Sequence, residues 1–246
     1  DFGVDARGGI EAGLLLTEIA TGGLATVQTR LAGVAGASVP IVELTTDHPS
    51  LALQAAQLAD WPFEEWAGRG YGPANLFTDV RRVETGYTEE FDFAVLAIEA
   101  AHLPDEGVAG SVASTAGVGT SGVFLPTASA ASVAGSVSIL AEAAGRAVSG
   151  LAEVDYDLTS VISATGSAPM VPFGADGETA RTRAETAIAT AGRAHLLVTE
   201  PLDGGQNIEE QLGDPDLPAA LTIDVVGGPT HVYGEADESA LTHFFD

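Results

Sequence analysis

The chain alternates between short β-rich apolar runs and longer segments with helical spacing, and three of the apolar runs end in polar turn motifs. These motifs are Thr-Thr-Asp-His-Pro at residues 45–49, Pro-Thr-Ala-Ser at 126–129 and Ala-Thr-Gly-Ser-Ala-Pro at 164–169. Because loops at strand ends commonly build sites, we expect these motifs to line one. Strands that alternate with helices over short connections predict an α/β or α+β protein whose sheets are covered by helices.

Small apolar residues dominate the predicted helices, which span 10–20, 50–59, 108–116, 132–151, 179–191 and 239–245. The helical spacing of apolar residues is weakest in the last of them. The predicted strands are the β-rich runs at 24–28, 39–44, 93–98, 123–125, 161–163, 195–198, 221–226 and 231–233. The last two strands are joined by Gly-Gly-Pro-Thr, which predicts a β-hairpin. Composition shifts at 61–90 and 201–218 indicate loops or linkers there.

The charge balance is strongly acidic, with 35 Asp and Glu against nine basic residues, all of them Arg, and a net charge of -26. Such a chain repels nucleic acid and anionic membranes. It suits concentrated salt, where the screening length shrinks to about 3 Å at 1 M. An ordinary acidic protein is the alternative, but ordinary acidic surfaces also carry Lys. We therefore predict a cytoplasmic protein of a halophile that loses structure when salt is removed.

Other function classes are excluded by what the sequence lacks. There is no Cys, so disulfides and thiolate chemistry are excluded. No apolar run reaches 18 residues, so no membrane-spanning helix is predicted. The five His residues form no i,i+4 pair, so we predict no metal site. Asp47 is better read as the cap of the helix that follows Pro49 than as a metal ligand. Asp1 leads directly into a motif, so we expect a preceding segment to be missing.

Four motifs, in their order and spacing, resemble the archaeal methenyltetrahydromethanopterin cyclohydrolase family. They are Gly-Gly-Ile-Glu-Ala-Gly at 8–13, the motif at 45–49, Gly-Tyr-Gly-Pro-Ala at 70–74 and the motif at 164–169. The resemblance implies reversible hydrolysis of the methenyl bridge of a tetrahydropterin carrier to the N5-formyl form, with no metal, cofactor or prosthetic group. It also implies a haloarchaeal member of the family and a homotrimer.

For the fold, the resemblance implies a single unit, 1–246, of two interleaved α/β lobes of mixed sheet covered by helices. The substrate cleft lies between the lobes, whose boundaries we expect near 61–90 and 201–218. The expected partners are the small-molecule pterin and water, without nucleic acid or membrane.

The reaction requires water to attack a cationic amidinium carbon, so a carboxylate should orient or deprotonate the water. The resemblance implies an Arg at the start of helix 179–191 and an acid three residues later. The Arg falls on Arg183, but the third residue after it is Thr186 and Glu185 stands one place earlier. We therefore predict Glu185 as the water-activating carboxylate, with Arg183 or Arg181 as its partner. Arg181 and Glu185 share a helix face at i,i+4, so a surface ion pair is the alternative.

Substrate-binding candidates come from the first helix and from the motifs. Glu11 lies two helical turns before Glu18 and suits the guanidine-like edge of a pterin, or is solvated. Arg69, Arg81 and Arg82 lie near a Gly-rich loop that could receive an anionic tail, or they pair with surface acids. The full set is Glu11, Thr46, Asp47, His48, Gly70, Gly72, Pro73, Arg81, Thr127, Ser129, Thr165, Gly166 and Ser167.

Three alternatives stay open. The carrier is either tetrahydromethanopterin or tetrahydrofolate. Because Thr186 stands where the family has an acid, the chain is alternatively a pterin-binding protein without catalysis. An unrelated halophilic α/β enzyme is the third reading.

Overall fold

The structure of the protein is a computed structural model. It describes residues 9–21, 24–34, 36–50, 68–71, 94–95, 97–100, 123–124, 127–128, 131–172, 176–202 and 217–245. The α-helices in these ranges are α1 (Ile10–Ala20), α2 (Val133–Ala141), α3 (Ala143–Glu153) and α4 (Gly177–Ala191). Two 3-10 helices are Leu158–Ser160 and Glu238–Phe244.

Eleven strands are described: β1 (Thr26–Val34), β2 (Ala37–Thr46), β3 (Gly68–Tyr71), β4 (Ala94–Val95), β5 (Ala97–Ala100), β6 (Val123–Phe124), β7 (Thr127–Ala128), β8 (Val161–Pro169), β9 (Arg193–Val198), β10 (Ala220–Val225) and β11 (Thr230–Gly234). Six of them form a mixed sheet in the order β1-β2-β8-β9-β10-β11. In this sheet β9 and β10 are parallel and the other neighbours antiparallel. Smaller sheets join β3-β5-β7 and β4-β6. The fold class is α+β, as predicted.

The central sheet has two unlike faces. Residues of β8, β9 and β10 alternate, so Ala164, Ala168, Leu196 and Ile223 are buried on the first face. Helices α2, α3 and α4 pack against β8 on this side, and α3 also packs on β9. We call this the helix face. Its apolar contacts form the main core. The side chains that β9, β10 and residues 163–167 of β8 present on the second face remain partly or largely exposed, whereas Val39 and Ile41 of β2 are buried on that face.

Several sequence predictions are confirmed. Helix α1 has the predicted bounds, and α4 begins two residues earlier than predicted because the Asp176 side chain caps it by accepting a 2.8 Å hydrogen bond from Thr179 N. The hairpin of β10 and β11 is present. Residues 49–50 begin the helix expected after Pro49; its remainder and the helix predicted at 108–116 lie outside the described residues.

Three predictions need correction. Strand β1 continues to Val34 and forms a hairpin with β2, closed by Gly36 at a positive φ of 83°. The helix predicted at 132–151 is divided at Glu142, where the backbone N–H bonds Ile139 O and Leu140 O in a tightened turn. The motif at 164–169 is not a turn, because its residues pair with β2 and continue β8 to Pro169.

Candidate active site

Three charged side chains meet where the junction of α2 and α3 lies beside α4. Arg146 Nη2 is 3.0 Å from Glu142 Oε2 and 3.7 Å from Glu185 Oε1, and Arg146 Nε donates to Glu142 Oε2 at 3.3 Å. The side chains of Arg146, Glu142 and Glu185 are 10%, 14% and 31% exposed. We call Glu142, Arg146 and Glu185 the carboxylate cluster. It is half-buried, and Glu185 is its most accessible member.

Local structure brings these residues together. Glu142 ends α2 and caps α3, and Arg146 lies one turn later, so the two side chains share a face at i,i+4. The start of α3 lies directly on β8 because Gly166 has no side chain. A Cβ there would lie only 2.6 Å from Ala144 Cα and 2.8 Å from Ala143 C. On α4, the neighbouring Ala184 is buried against the core, which places Glu185 beside the α2–α3 junction.

The carboxylate cluster combines two carboxylates with one fixed positive charge. Arg keeps its positive charge at any physiological pH, and two carboxylates surround it, so the fully ionised cluster carries one net negative charge. Arg146 contacts Glu142 at hydrogen-bond distance, whereas 3.7 Å to Glu185 is an ion pair rather than a direct hydrogen bond. Glu185 is therefore oriented by the guanidinium while its partly exposed carboxylate can still accept a hydrogen bond from water.

Of the two predicted Arg partners of Glu185, Arg183 makes its described contacts elsewhere. Arg183 Nη1 donates to Pro172 O at 3.0 Å, and its Cζ lies 5.7 Å from the centre of the Phe244 ring. Arg181 is half-buried on α4. Thr186, three residues after Arg183, donates its hydroxyl to Thr182 O at 2.7 Å. The observed ion pair of Glu185 is thus with Arg146, not with Arg183.

The turn after β2 is anchored by Thr46. Its buried Oγ1 donates to Leu24 O at 2.6 Å and accepts from His48 N at 3.0 Å. Asp47 and His48 follow with exposed side chains. Thr46 therefore holds the turn in place, while Asp47 and His48 are available for the predicted contact with a ligand.

Strand geometry divides the predicted trio of residues 165–167. Gly166 faces α3, whereas Thr165 and Ser167 point to the opposite face of the sheet. There Thr165 Oγ1 lies 3.2 Å from Thr45 Oγ1 in an exposed hydrogen bond. We call this second side, with Thr45, Thr165, Ser167, His195 and Asp224, the open face. One pocket cannot be lined by all three residues, because the sheet separates Gly166 from the other two.

The remaining predicted residues are placed only in part. Glu11 is exposed in the first turn of α1, so the inward orientation considered for it is not observed. Gly70 lies in β3 opposite Ile98, and Thr127 lies in β7 opposite the same Ile98. Four candidates lie outside the described residues: Gly72, Pro73, Arg81 and Ser129.

Sequence reasoning missed Glu142 and Arg146. Their signal was available, since they are the only charged residues between 132 and 151 and stand at i,i+4. Sequence reasoning also missed an open-face network in which His195 Nε2 lies 2.7 Å from Asp224 Oδ2 and Thr230 Oγ1 donates to Asp224 Oδ1. The hydrogen bonds from Thr230 and then from His195 lower the pKa of Asp224 below its ordinary value.

Within the described part of the chain, no three His, Cys, Asp or Glu side chains are grouped as a metal site would need. No helix in the described ranges combines the length and the apolar character needed to cross a membrane. The carboxylate cluster offers the chemistry of a carboxylate beside a guanidinium.

The mixed sheet with helices packed on it defines an α+β protein, and the carboxylate cluster is the candidate site beside those helices. The family described as Cyclohydrolase (MCH) matches residues 1–215, and the chain belongs to this family.

The chain is similar to proteins of several archaea that are named methenyltetrahydromethanopterin cyclohydrolase. The protein of Halobacterium salinarum is 42% identical over 272 residues, which cover 100% of this chain and 88% of the relative. That of Methanocella arvoryzae is 36% identical over 234 residues, or 91% and 70% of the two chains. That of Methanococcus maripaludis is 34% identical over 221 residues, or 85% and 67%.

Proposed function

We propose that the protein is a methenyltetrahydromethanopterin cyclohydrolase. The observation that carries the proposal is the match over the whole chain to the Halobacterium protein of that name, together with family membership over residues 1–215. The geometry supports the same chemistry, because the carboxylate cluster offers a half-buried Glu185 to water beside a fixed positive charge.

The proposed reaction begins with the attack of water on the cationic methenyl carbon. A C–O bond forms as Glu185 takes one proton from the water, and the resulting hydroxyl adduct is neutral at carbon. The adduct then loses its hydroxyl proton as the bond from carbon to N10 breaks. N10 carries no proton in the methenyl substrate, so it takes up the proton that Glu185 received from the water. The formyl group stays on N5, and the hydroxyl proton is the one released overall. No electrons are transferred, so we propose that no cofactor takes part.

The charge of the protein favours this substrate at its reacting carbon. A net charge of -26, and one net negative charge on the ionised cluster, stabilise a bound amidinium cation. An anionic tail on the carrier would need Arg side chains, and the candidates for that role remain Arg81 and its neighbours, as proposed from the sequence.

The loss of methenyl-pterin absorbance tests the activity. Purified protein in molar KCl should accelerate the decay of methenyltetrahydromethanopterin over buffer alone. Methenyltetrahydrofolate, offered in a parallel assay, tests the alternative carrier. Acceleration with neither compound would overturn the proposed function.

Replacement of the proposed base tests the role of Glu185. Glu185→Gln keeps the shape of the side chain but cannot accept a proton, so we expect kcat to fall by roughly 10²–10⁴-fold. Glu178→Gln is the matched control, because Glu178 is an exposed carboxylate on the same helix, and it should leave kcat unchanged. An active Glu185→Gln variant would assign the base elsewhere. A wild type that binds the pterin without turnover would instead support the reading as a binding protein.

We further propose a halophilic, cytoplasmic homotrimer. The charge balance supports salt adaptation, since 35 acidic residues face only nine Arg. The trimer is supported by the family resemblance alone. Circular dichroism during dialysis from molar KCl should show loss of structure, and sedimentation in molar KCl should give three times the chain mass of 24.9 kDa.

A further inference from the structure

The geometry points to Arg146 as the positioning residue for Glu185, with Glu142 fixing the guanidinium. This inference deepens the proposed function and rests on it. It places the Arg partner of the base on α3, whereas the sequence predicts both the base and its Arg partner on α4.

The first step is how Arg146 is held. Its Nε and Nη2 both reach Oε2 of Glu142, at 3.3 and 3.0 Å, which fixes the plane of the guanidinium. Both residues lie within one turn at the start of α3, and that turn is packed on β8 at Gly166. The guanidinium is thus carried by a helical turn that packs directly on β8.

The second step is what Arg146 holds. The same Nη2 that bonds Glu142 lies 3.7 Å from Glu185 Oε1, so one nitrogen bridges two helices. Arg146 is 10% exposed, and a charge this buried is costly to leave unpaired, which keeps the guanidinium between its two carboxylates. Glu185, at 31% exposure, is restrained on one side and open on the other. A base must be oriented in this way before it can act on a bound water.

Three other charged or titratable groups on α4 and on the 3-10 helix packed against it make different contacts. Arg183 bonds Pro172 O, Glu238 of the 3-10 helix pairs with Arg193 at 3.1 Å, and His243 Nδ1 lies 2.8 Å from Ala240 O. Among the described residues, Arg146 is the side chain that forms an ion pair with Glu185.

The test compares Arg146→Met, Arg146→Lys and Glu142→Gln in the absorbance assay. Arg146→Met should lower kcat up to roughly 100-fold while KM changes less than about twofold, because orientation of the base is lost but the pterin contacts are not. Arg146→Lys should recover an intermediate kcat, since it restores the charge without the planar fork. Arg193→Met, which removes an exposed guanidinium paired with Glu238, should leave kcat unchanged.

A double-mutant cycle separates positioning from packing. If Glu142 acts by fixing Arg146, Glu142→Gln should lower kcat in the wild type and have no further effect on kcat in the Arg146→Met background. Unchanged kcat in folded Arg146→Lys and Arg146→Met, with Glu185→Gln inactive, would overturn this inference and leave the proposed function standing. A wild type inactive on both carriers would overturn both. If Arg146→Met fails to fold, Arg146→Lys and Glu142→Gln decide: wild-type kcat in both overturns the inference.

Discussion

The helix face and the open face of the central sheet use the same strands for opposite purposes. On β8 the helix face presents Ala164, Gly166 and Ala168, which let α3 and α4 approach closely. The open face presents Thr165 and Ser167 to solvent from the same segment. Burial of apolar area on the helix face stabilises the fold, whereas exposed hydrogen bonds contribute little net free energy. The comparison teaches that a six-residue motif can serve packing and surface chemistry at once.

The ion pairs on the two faces also differ in how exposed they are. The carboxylate cluster lies among the helices with Arg146 10% exposed, while His195 and Asp224 on the open face are 52% and 36% exposed. An exposed pair is screened by solvent and salt and contributes little to stability. A buried guanidinium must keep its partners, because an unpaired buried charge is strongly destabilising. The cluster is therefore the more rigid of the two arrangements and the better suited to hold a base.

The largest expected difference between the faces is in the effect of substitutions at residues 166 and 167 on the free energy of unfolding. Gly166→Ala places a methyl group against the backbone of Ala143 and Ala144, so α3 must move away from β8. We expect a loss of about 3 kcal/mol in the free energy of unfolding. Ser167→Ala, one residue along the strand on the open face, should change it by less than about 0.5 kcal/mol. Chemical denaturation in molar KCl measures both, and equal effects would remove the distinction between the faces.

Local patterns predicted the elements that local contacts determine. The spacing of apolar residues gave α1 with its observed bounds, and Gly227-Gly228 signalled the hairpin of β10 and β11. The motif at 164–169 was misread because Thr, Gly, Ser and Pro favour turns in isolation. Pairing with β2 and β9 on both sides overrides that preference.

The candidate site could be predicted only in part for a related reason. Glu185 was identified from its helix and from the family resemblance. Its ion pair with Arg146 depends on how α3 packs beside α4, which no spacing along one helix reveals. The i,i+4 pair of Glu142 and Arg146 was visible in the sequence, but the position of Glu185 beside that pair was not.

A smaller contrast is expected at the neighbouring residues 45 and 46, which also point to opposite faces. Thr46→Val leaves the shape intact but deprives Leu24 O and His48 N of a buried partner. We expect a loss of roughly 1–2 kcal/mol, because unsatisfied buried polar groups are costly. Thr45→Val removes only the exposed bond to Thr165 and should cost less than about 0.5 kcal/mol. A larger effect of Thr45→Val would show that the open face is more stabilising than its exposure indicates.

The smallest expected effect is the pH dependence contributed by Asp224 on the open face. Its pKa is lowered by the hydrogen bond from Thr230 and then by that from His195. A carboxyl with a lower pKa in the folded than in the unfolded protein contributes stability above the unfolded-state pKa, near 4. That contribution is lost as the pH falls through the folded-state pKa. The wild type should therefore lose stability on acidification below about pH 4, and Asp224→Asn should flatten part of this loss.

Two partner variants rank the causes of the Asp224 effect. Thr230→Val removes the hydrogen bond that lowers the pKa of Asp224 most, so it should flatten the pH dependence nearly as much as Asp224→Asn. His195→Gln removes the second cause and should flatten it less. Denaturation midpoints from about pH 3 to pH 7 at constant salt give the slopes. Identical slopes in all four proteins would show that this network does not couple protonation to folding. The hydrogen-bonded network of Asp224, Thr230 and His195 would then contribute no pH-dependent stability, which would widen the contrast with the helix face.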